Sequence, residues 1–324
     1  MLQNTQHYSR LGKYLTQGLP ELVEITNPLE PFVGEGDLLF LYNGIWEMYD
    51  IDPKIKGTIP MDTLKYPPDY SDRTVITNPP YLARNKCKES KWLYEFYQED
   101  DLYKIFLKTI RGAKNGIVII PMSFFTDDRS ASIRKDFCKR FKILRVNVFN
   151  ETVFDTTTYT VCSFAFEKGV TGNVPFYTFP DLVVSSIYLE DKYSYRLGGA
   201  DLNLPSETVF GRLQNGKANK PFTTDMFLYA IDGKDSKIRM VINKDHFNGK
   251  STDRTFCTIT SDIPMPDKTQ KLMVDEFNDR IDRLRKKYNN LIFTNFRDFG
   301  RKRISFDFAY SLLEDIRISL ENSK

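Results

Sequence analysis

The chain of 324 residues carries 46 Lys and Arg against 43 Asp and Glu, which leaves a formal net charge of +3. With 41% hydrophobic and 27% charged residues, the composition is that of a globular protein and excludes a disordered or collagen-like chain. The first residues, MLQNTQHYSR, lack the apolar stretch of a signal peptide, and no window approaches 18 consecutive apolar residues. We therefore expect a cytoplasmic protein that does not associate with membranes.

The four cysteines lie far apart with no C-x-x-C pair, and the two histidines are remote from each other. This spacing argues against a metal site and against a disulfide framework. We expect reduced thiols, most of them buried.

The first half of the chain alternates strand-like and helix-like segments. A strand, a glycine loop and a helix start are predicted for ITNPLEPFVGEGDLLFL, and further strands for IWEMYDIDP and RTVITNPP. One helix is predicted for KWLYEFYQEDDLYKIFLKTIRGAKNG, a buried strand for GIVIIPMSFF, and a helix for IRKDFCKRF. Two final strands, ILRVNVFN and TTYTVCSFAFEK, are expected to add an antiparallel edge. This alternation predicts an α/β fold with a mostly parallel sheet.

The amino-acid composition changes after residue 172. Strand and turn segments rich in Pro, Gly and Ser precede a basic loop, GRLQNGKANKPF. A long helix is then predicted for KLMVDEFNDRIDRLRKKYNNLIF, with Leu272, Phe277, Ile281 and Leu284 on its apolar stripe. SFDFAYSLLEDIRISL predicts the last helix. We therefore expect a second, α+β domain of ordinary size.

A glycine loop and a pair of acidic residues suggest a ligand. Gly34 and Gly36 follow an apolar stretch, and the next predicted strand ends in Asp50-Ile51-Asp52, where doubly wound folds place a carboxylate for ribose hydroxyls. Each feature alone is typical of an ordinary turn or a solvated strand end. Together, in this order, they favour a ligand that contains a nucleoside.

The charges near this loop narrow the choice of ligand. The loop lacks the third glycine of G-x-G-x-x-G and carries Glu30, Glu35 and Asp37. These carboxylates would repel a pyrophosphate at close range. S-adenosylmethionine, which carries a sulfonium and an ammonium group, fits this charge pattern.

A second motif follows the third predicted strand. Asn78-Pro79-Pro80-Tyr81 resembles the N-P-P-Y signature of amino-methyltransferases that act on adenine in DNA. The order of motifs over roughly the first half of the chain is similar to the gamma class of this family. The resemblance implies a Rossmann-like methyltransferase domain over residues 1–172 and a C-terminal target-recognition domain over residues 173–324.

The resemblance also implies residue roles. GKYLT, LEPFVGEGDLL, EMYDIDP and Asp62-Thr63-Leu64 are similar to the family's cofactor motifs, although Thr63 stands where an aromatic residue is usual. The segment between Thr16 and Glu30 is shorter than in the family. The implied S-adenosylmethionine contacts are Tyr14, Thr16, Glu30, Pro31, Phe32, Gly34, Gly36, Asp50, Ile51, Asp62, Thr63 and Asn78.

The catalytic motif suits an amine substrate. An adenine amino group is a poor nucleophile, and the Asn78 side-chain oxygen with the Pro79 carbonyl can accept its two hydrogen bonds, while Pro79 and Pro80 fix both acceptors. Tyr81 is expected to stack on one face of a flipped-out base. The resemblance places Phe154 on the other face, with Tyr159 as the reserve choice.

Basic residues near these motifs are candidates for contacts with double-stranded DNA. Each could equally be a solvated surface residue. They are Arg84, Lys86 and Lys88 after the catalytic motif, and Lys217, Lys220, Arg301 and Arg303 in the second domain.

The resemblance implies a site-specific DNA adenine-N6 methyltransferase, the modification enzyme of a restriction–modification system with a cognate endonuclease as a partner. One alternative is a methyltransferase of another amino substrate, namely an RNA base, the glutamine of a release factor, or cytosine N4. The other is a catalytically silent DNA-binding homologue. A methyl-transfer assay on unmethylated DNA decides the second alternative.

Overall fold

A computed structural model describes residues 10–89, 91–154, 159–232, 237–250, 255–295 and 302–322. The chain divides into two compact units, Met1–Leu197 and Gly198–Lys324. Among these residues, no helix combines the length and the apolar character needed to cross a membrane. All four cysteines are buried and none forms a disulfide, which confirms the expectation of buried thiols.

The first unit is built on one nine-stranded sheet. Its strands are β1 (Leu29–Glu30), β2 (Glu47–Asp50), β3 (Ile59–Pro60), β4 (Thr74–Thr77), β5 (Asn115–Pro121), β6 (Phe141–Phe149), β7 (Val161–Lys168), β8 (Asn173–Phe179) and β9 (Val183–Tyr188). They lie in the order β3-β2-β1-β4-β5-β7-β6-β8-β9. The pairs from β3 to β5 are parallel, as is β6 with β8, whereas β7 is antiparallel to both its neighbours. The predicted α/β class and mostly parallel sheet are confirmed.

The described helices of this unit are α1 (residues 10–16), α2 (Lys91–Tyr97), α3 (Leu102–Thr109), α4 (Ser123–Thr126) and α5 (Ala131–Arg140). The single helix predicted after residue 91 is wrong: the backbone turns at Gln98, whose φ is 54°, and separates α2 from α3. The helix predicted after the glycine loop is also wrong. Only a 3-10 turn, Leu39–Leu41, forms there.

The core of this unit is rich in phenylalanine. Every residue of β5 is buried, as expected for a central strand covered on both faces. The ring of Phe164 on β7 stacks on Phe124 and meets Phe125 and Phe137 edge to face, with centroids 5.7–6.0 Å apart. This aromatic cluster fixes the helices that follow β5 against one face of the sheet.

The unit ends later than the sequence indicates. A boundary at residue 172 is predicted from the change in composition, whereas β8 pairs in parallel with β6, and β9 pairs with β8. The division into compact units therefore falls after Leu197. Strands β8 and β9 therefore extend the sheet of the first unit rather than begin a new domain.

The second unit combines an antiparallel sheet with two helices. Its strands are β10 (Phe210–Gln214), β11 (Lys217–Ala218), β12 (Phe222–Tyr229), β13 (Arg239–Ile242) and β14 (Phe256–Ser261), in the order β11-β10-β14-β12-β13. A short pair, β15 (Thr294–Asn295) and β16 (Lys302–Arg303), accompanies it, and the helices are α6 (Asp267–Tyr288) and α7 (Phe306–Asn322).

Part of the predicted basic loop of this unit is in fact a β-hairpin. Gln214 of β10 pairs with Lys217 of β11, so Asn215 and Gly216 form a two-residue turn. Both have positive φ, 51° and 72°. Asn-Gly is the preferred pair for such a turn because these residues tolerate left-handed backbone conformations.

Helix α6 is confirmed, with one difference in its buried stripe. Phe277, Ile281 and Leu284 are buried as predicted, but Leu272 is 47% exposed. Met273 and Val274 face the core in its place.

We expect Phe164→Ala to lower the free energy of unfolding by about 3–5 kcal/mol, because it leaves a cavity among buried rings. Urea denaturation measures the change. Phe96→Ala, which truncates a side chain that is 74% exposed, is the matched control and should change stability by no more than about 0.5 kcal/mol. Equal effects of the two variants would contradict this description of the core.

Candidate functional site

The predicted site residues of the first unit gather at one edge of its sheet. Because β2, β1 and β4 are parallel neighbours, their carboxyl ends, at Asp50, Glu30 and Thr77, lie side by side. Strands β2 and β4 both come after β1 in the chain but lie on opposite sides of it in the sheet. The strand order therefore reverses between β1 and β4. Ligands of open α/β sheets bind in the crevice at such a reversal.

The glycine loop after β1 is braced by the acid at the end of β2. The backbone N–H of Gly34 donates to Asp50 Oδ2 at 2.8 Å, and Asp50 Oδ1 accepts from the Asp52 N–H at 2.9 Å. Gly34 has a φ of 51°, and a Cβ placed on it would meet nothing within 4 Å. The loop is therefore held by the Asp50 side chain and leaves open space above Gly34.

Glu30 is a buried carboxyl at this edge. It is 2% exposed, and its Oε1 accepts a long hydrogen bond, 3.4 Å, from the Phe32 N–H. Burial raises the pKa of Glu30 well above its usual range, with smaller opposing effects of the Thr77 hydroxyl and the Phe32 N–H, and Asp50 and Asp37 raise it further. Oε2 has no well-formed hydrogen bond, although Thr77 is near enough to act on the pKa. A positively charged group would suit this oxygen.

Asp62 and Thr63 reach the same loop from the segment after β3. The buried Thr63 hydroxyl donates to the Pro31 carbonyl at 3.0 Å. Asp62 Oδ1 accepts from the backbone N–H groups of Leu64 and Lys65 at 3.1 and 3.2 Å. Thr63 thus ties the two segments together.

Two apolar side chains flank the glycine loop. Ile51, directly after the β2 acid, is 74% exposed. Phe32 is partly buried and meets Phe106 edge to face, with centroids 5.4 Å apart. An exposed isoleucine beside a carboxylate provides an apolar surface on which a flat ring can rest.

The Asn78-Pro79-Pro80-Tyr81 turn begins where β4 ends. Asn78 is partly buried, Pro79 is buried and Pro80 is exposed. The Tyr81 hydroxyl turns inward, where it hydrogen-bonds Asn78 Oδ1 and lies 2.8 Å from the Ile119 carbonyl of β5, and burial raises the Tyr81 pKa. This contact fixes the Asn78 amide with its oxygen oriented, and a carbonyl oxygen retains a second lone pair.

Asp101 binds the backbone just after Tyr81. It is not among the site residues predicted from the sequence. Its Oδ1 accepts from the Leu82 N–H at 3.1 Å, and Ala83 forms a bridge with Asp101. Burial raises the pKa of Asp101 to about 6. No sequence pattern distinguishes Asp101 from an ordinary acidic residue that precedes a helix.

The loop that precedes β7 reaches the same edge, because Val161 pairs with Pro121 at the end of β5. Phe154 and Tyr81 both pack against one buried cluster that includes Ile76 and Ile119. Tyr159 is 50% exposed, and Lys86 Nζ lies 5.9 Å from its ring centroid.

Tyr14 and Thr16 of α1 differ in accessibility. Tyr14 is partly buried, its ring lies 5.2 Å from that of Phe149, and its hydroxyl donates to Glu151. Thr16 is 1% exposed and its hydroxyl donates to the Gly12 carbonyl at 2.8 Å. Tyr14 therefore reaches the carboxyl edge of the sheet, whereas Thr16 is engaged within its own helix.

The predicted DNA-contacting cations fall into two groups. Arg84, Lys86 and Lys88 are exposed in the segment after Tyr81, and Arg84 pairs with Glu95 at 2.7 Å. In the second unit, Lys217 is exposed and Lys220 pairs with Asp262 at 2.5 Å. Arg303 lies on β16, and Arg301 lies outside the described residues.

Comparisons with known proteins identify no family. A scan against protein-family models finds no match, and a search of curated proteins finds none either.

Several solved structures share part of the fold. One is a modification subunit, described as that of a type I restriction enzyme of Vibrio vulnificus YJ016, with 14% identity and a TM-score of 0.42 over 60% of this chain and 50% of that one. Another is the EcoKI M protein, with 14% identity and a TM-score of 0.39 over 53% and 47%. A methyltransferase subunit of a type I restriction-modification system from Streptococcus thermophilus has 15% identity and a TM-score of 0.39 over 53% and 46%. The chain thus matches about half the length of each.

Proposed function

We propose that the chain is an S-adenosylmethionine-dependent methyltransferase that modifies the N6 amino group of adenine in double-stranded DNA. One observation carries the proposal. The Asn78-Pro79-Pro80-Tyr81 turn and the glycine loop lie at the ends of two paired parallel strands, β4 and β1, so the amine-binding motif borders the cofactor motif.

The cofactor would be held by residues at the ends of β1, β2 and β3. Asp50 is placed to accept from ribose hydroxyls, the exposed Ile51 would lie under the adenine, and the open space above Gly34 admits the ligand close to the backbone. Glu30 and Asp62 would face the positively charged groups. When bound, S-adenosylmethionine supplies an electrophilic methyl group on a sulfonium.

Asn78 and Pro79 would hold the substrate amine. The Asn78 side-chain oxygen and the Pro79 carbonyl accept its two N–H groups, which directs the nitrogen lone pair at the methyl carbon. Bound S-adenosylmethionine would supply the methyl group to this nitrogen and leave as the neutral thioether, and the amine proton would pass to solvent. The Tyr81 hydrogen bond to Asn78 keeps the accepting oxygen oriented before the substrate arrives.

The base would be flipped out of the duplex, since its amino group is otherwise paired within the stack. Tyr81 and Phe154, which pack against the same cluster, would enclose it. Tyr81 is only partly exposed, so we expect a base to bind against its ring rather than displace its buried hydroxyl.

The second unit would recognise the DNA sequence. Its exposed Asn215-Gly216 hairpin carries Lys217, and Lys220 follows it, so this turn can present cations to phosphates. A restriction endonuclease with the same target is the expected partner in the cell.

We expect Asn78→Ala to lower the rate of methyl transfer by at least about 100-fold, the loss typical of removing one preorganised hydrogen-bonding group. Transfer of labelled methyl groups to unmethylated DNA measures the rate. Affinity for S-adenosylhomocysteine, measured by calorimetry, should stay near that of the wild type.

Asn173→Ala is the matched control, because Asn173 is an exposed residue at the start of β8. It should transfer methyl groups at the wild-type rate. A near-wild-type rate for Asn78→Ala would refute the catalytic role of this motif.

Glu30→Gln should have two opposite effects. In the folded protein the pKa of Glu30 is raised, so its ionisation lowers the stability of the unliganded protein as pH rises through that pKa. The variant should therefore raise Tm at pH 8. It should also weaken binding of S-adenosylhomocysteine and remove the gain in affinity that the wild type shows with rising pH.

Asp72→Asn alters an exposed carboxyl at the opposite end of β4 and is the control for both measurements. Unchanged ligand affinity in Glu30→Gln would contradict the assignment of Glu30 to the cofactor site.

A further inference from the structure

Helix α2 exposes two large aromatic side chains beside the catalytic motif. Trp92 is 48% exposed and Phe96 is 74% exposed. They are four residues apart, so they lie on one face of the helix, while Leu93 and Tyr94 of the same helix are buried. Adjacent exposed aromatic rings of this size commonly mark a binding surface.

The segment that leads into this helix is strongly basic. Residues 82–92 contain four cations, Arg84, Lys86, Lys88 and Lys91, and a single carboxylate, Glu89. Their net charge is +3, which becomes +2 when Glu95 of the exposed α2 face is counted. The four cations are all exposed, so this surface favours a polyanion.

Hydrogen bonds fix the segment to α2 and to the catalytic motif. The Tyr94 hydroxyl donates to the Leu82 carbonyl at 2.8 Å, and the Arg84 N–H donates to the Asp100 carbonyl at 2.9 Å. The Arg84 guanidinium reaches Glu95 at 2.7 Å, and Glu95 lies on the same helical face as Trp92. Arg84 is therefore held against the exposed face of α2, and Leu82, next to Tyr81 in the chain, is held to the same helix.

We propose that the α2 face, defined by Trp92 and Phe96 with Arg84 held against it, binds a DNA strand next to the target nucleotide. The cations would contact phosphates, and Trp92 and Phe96 would stack on an unpaired base or a deoxyribose. The inference rests on the proposed function, and it adds the two aromatic residues and their role to the DNA contacts expected of the cations.

The combination of chemistry favours nucleic acid over a protein partner. Aromatic rings interleaved with cations are typical of surfaces that bind single strands, because every base has a face that can stack. Flipping a base unpairs the strand locally, so unstacked nucleotides would be available beside Tyr81. The cation–ring pair of Lys86 with Tyr159 extends the same chemistry toward the site.

Tryptophan fluorescence reports on this contact directly. The chain has two tryptophans, Trp46 and Trp92, so Trp46→Phe leaves Trp92 as the sole reporter. Titration of this full-length variant with a mixed-sequence single strand, and with its duplex, should quench the emission saturably. Trp92→Phe, which retains only Trp46, should show little change.

The double variant Trp92→Ala/Phe96→Ala tests the energetic role. We expect at least about a 5-fold loss of DNA affinity by fluorescence anisotropy, a matching rise in KM for DNA, and unchanged affinity for S-adenosylhomocysteine. Tyr188→Ala, which truncates an exposed aromatic residue on β9 of the first unit, should leave DNA affinity unchanged.

The outcomes separate this inference from the proposed function. If the wild type methylates DNA but the double variant matches it in affinity and KM, the α2 face is not a DNA contact and the proposed function stands. If the double variant changes only the oligomeric state, measured by light scattering, the face binds protein and the inference is overturned. If the wild type binds neither form of DNA, both the inference and the proposed substrate are wrong.

Discussion

The parallel pairing of β1 with β4 is the constraint on which the site depends. Its register sets Leu29 beside Val75, so the glycine loop and the Asn78 turn leave the sheet at neighbouring points. In the chain, 43 residues separate Gly34 from Asn78. A one-residue slip would exchange the faces of these short strands. Thr74 helps to hold the register, because its hydroxyl accepts from the Thr26 N–H at 2.9 Å and bonds Asn115 of β5 at 2.7 Å.

Charge is separated across this edge of the sheet. Glu30, Asp37 and Asp50 lie around the glycine loop, and burial raises the pKa values of Glu30 and Asp37. On the other side of Asn78, residues 82–92 carry a net positive charge. A cationic donor and a polyanionic acceptor would thus each meet the opposite charge. In the chain, the Asn78 turn lies between the two regions.

Much of the first unit could be predicted from sequence because periodicity and strand-ending motifs are local signals. The break between α2 and α3 at Gln98 could not be predicted, because a positive φ at a polar residue produces no recognisable sequence pattern. The predicted domain boundary is misplaced because the segment after residue 172 is rich in Pro, Gly and Ser, yet its strand β8 pairs with β6 and β9 pairs with β8. The roles of Tyr81 and Asp101 depend on contacts across the sheet, and the exposure of Trp92 and Phe96 depends on which helix face packs. None of these contacts or exposures can be predicted from the spacing of residues in the sequence alone.

A crystal structure with S-adenosylhomocysteine and an adenine-containing DNA tests the central claim most directly. The ligand should lie over Gly34 with its ribose at Asp50, and an extrahelical adenine should place its amino group within hydrogen-bonding distance of Asn78 Oδ1 and the Pro79 carbonyl. A ligand bound away from the ends of β1 and β2, or a base that does not approach Asn78, would contradict the proposed chemistry.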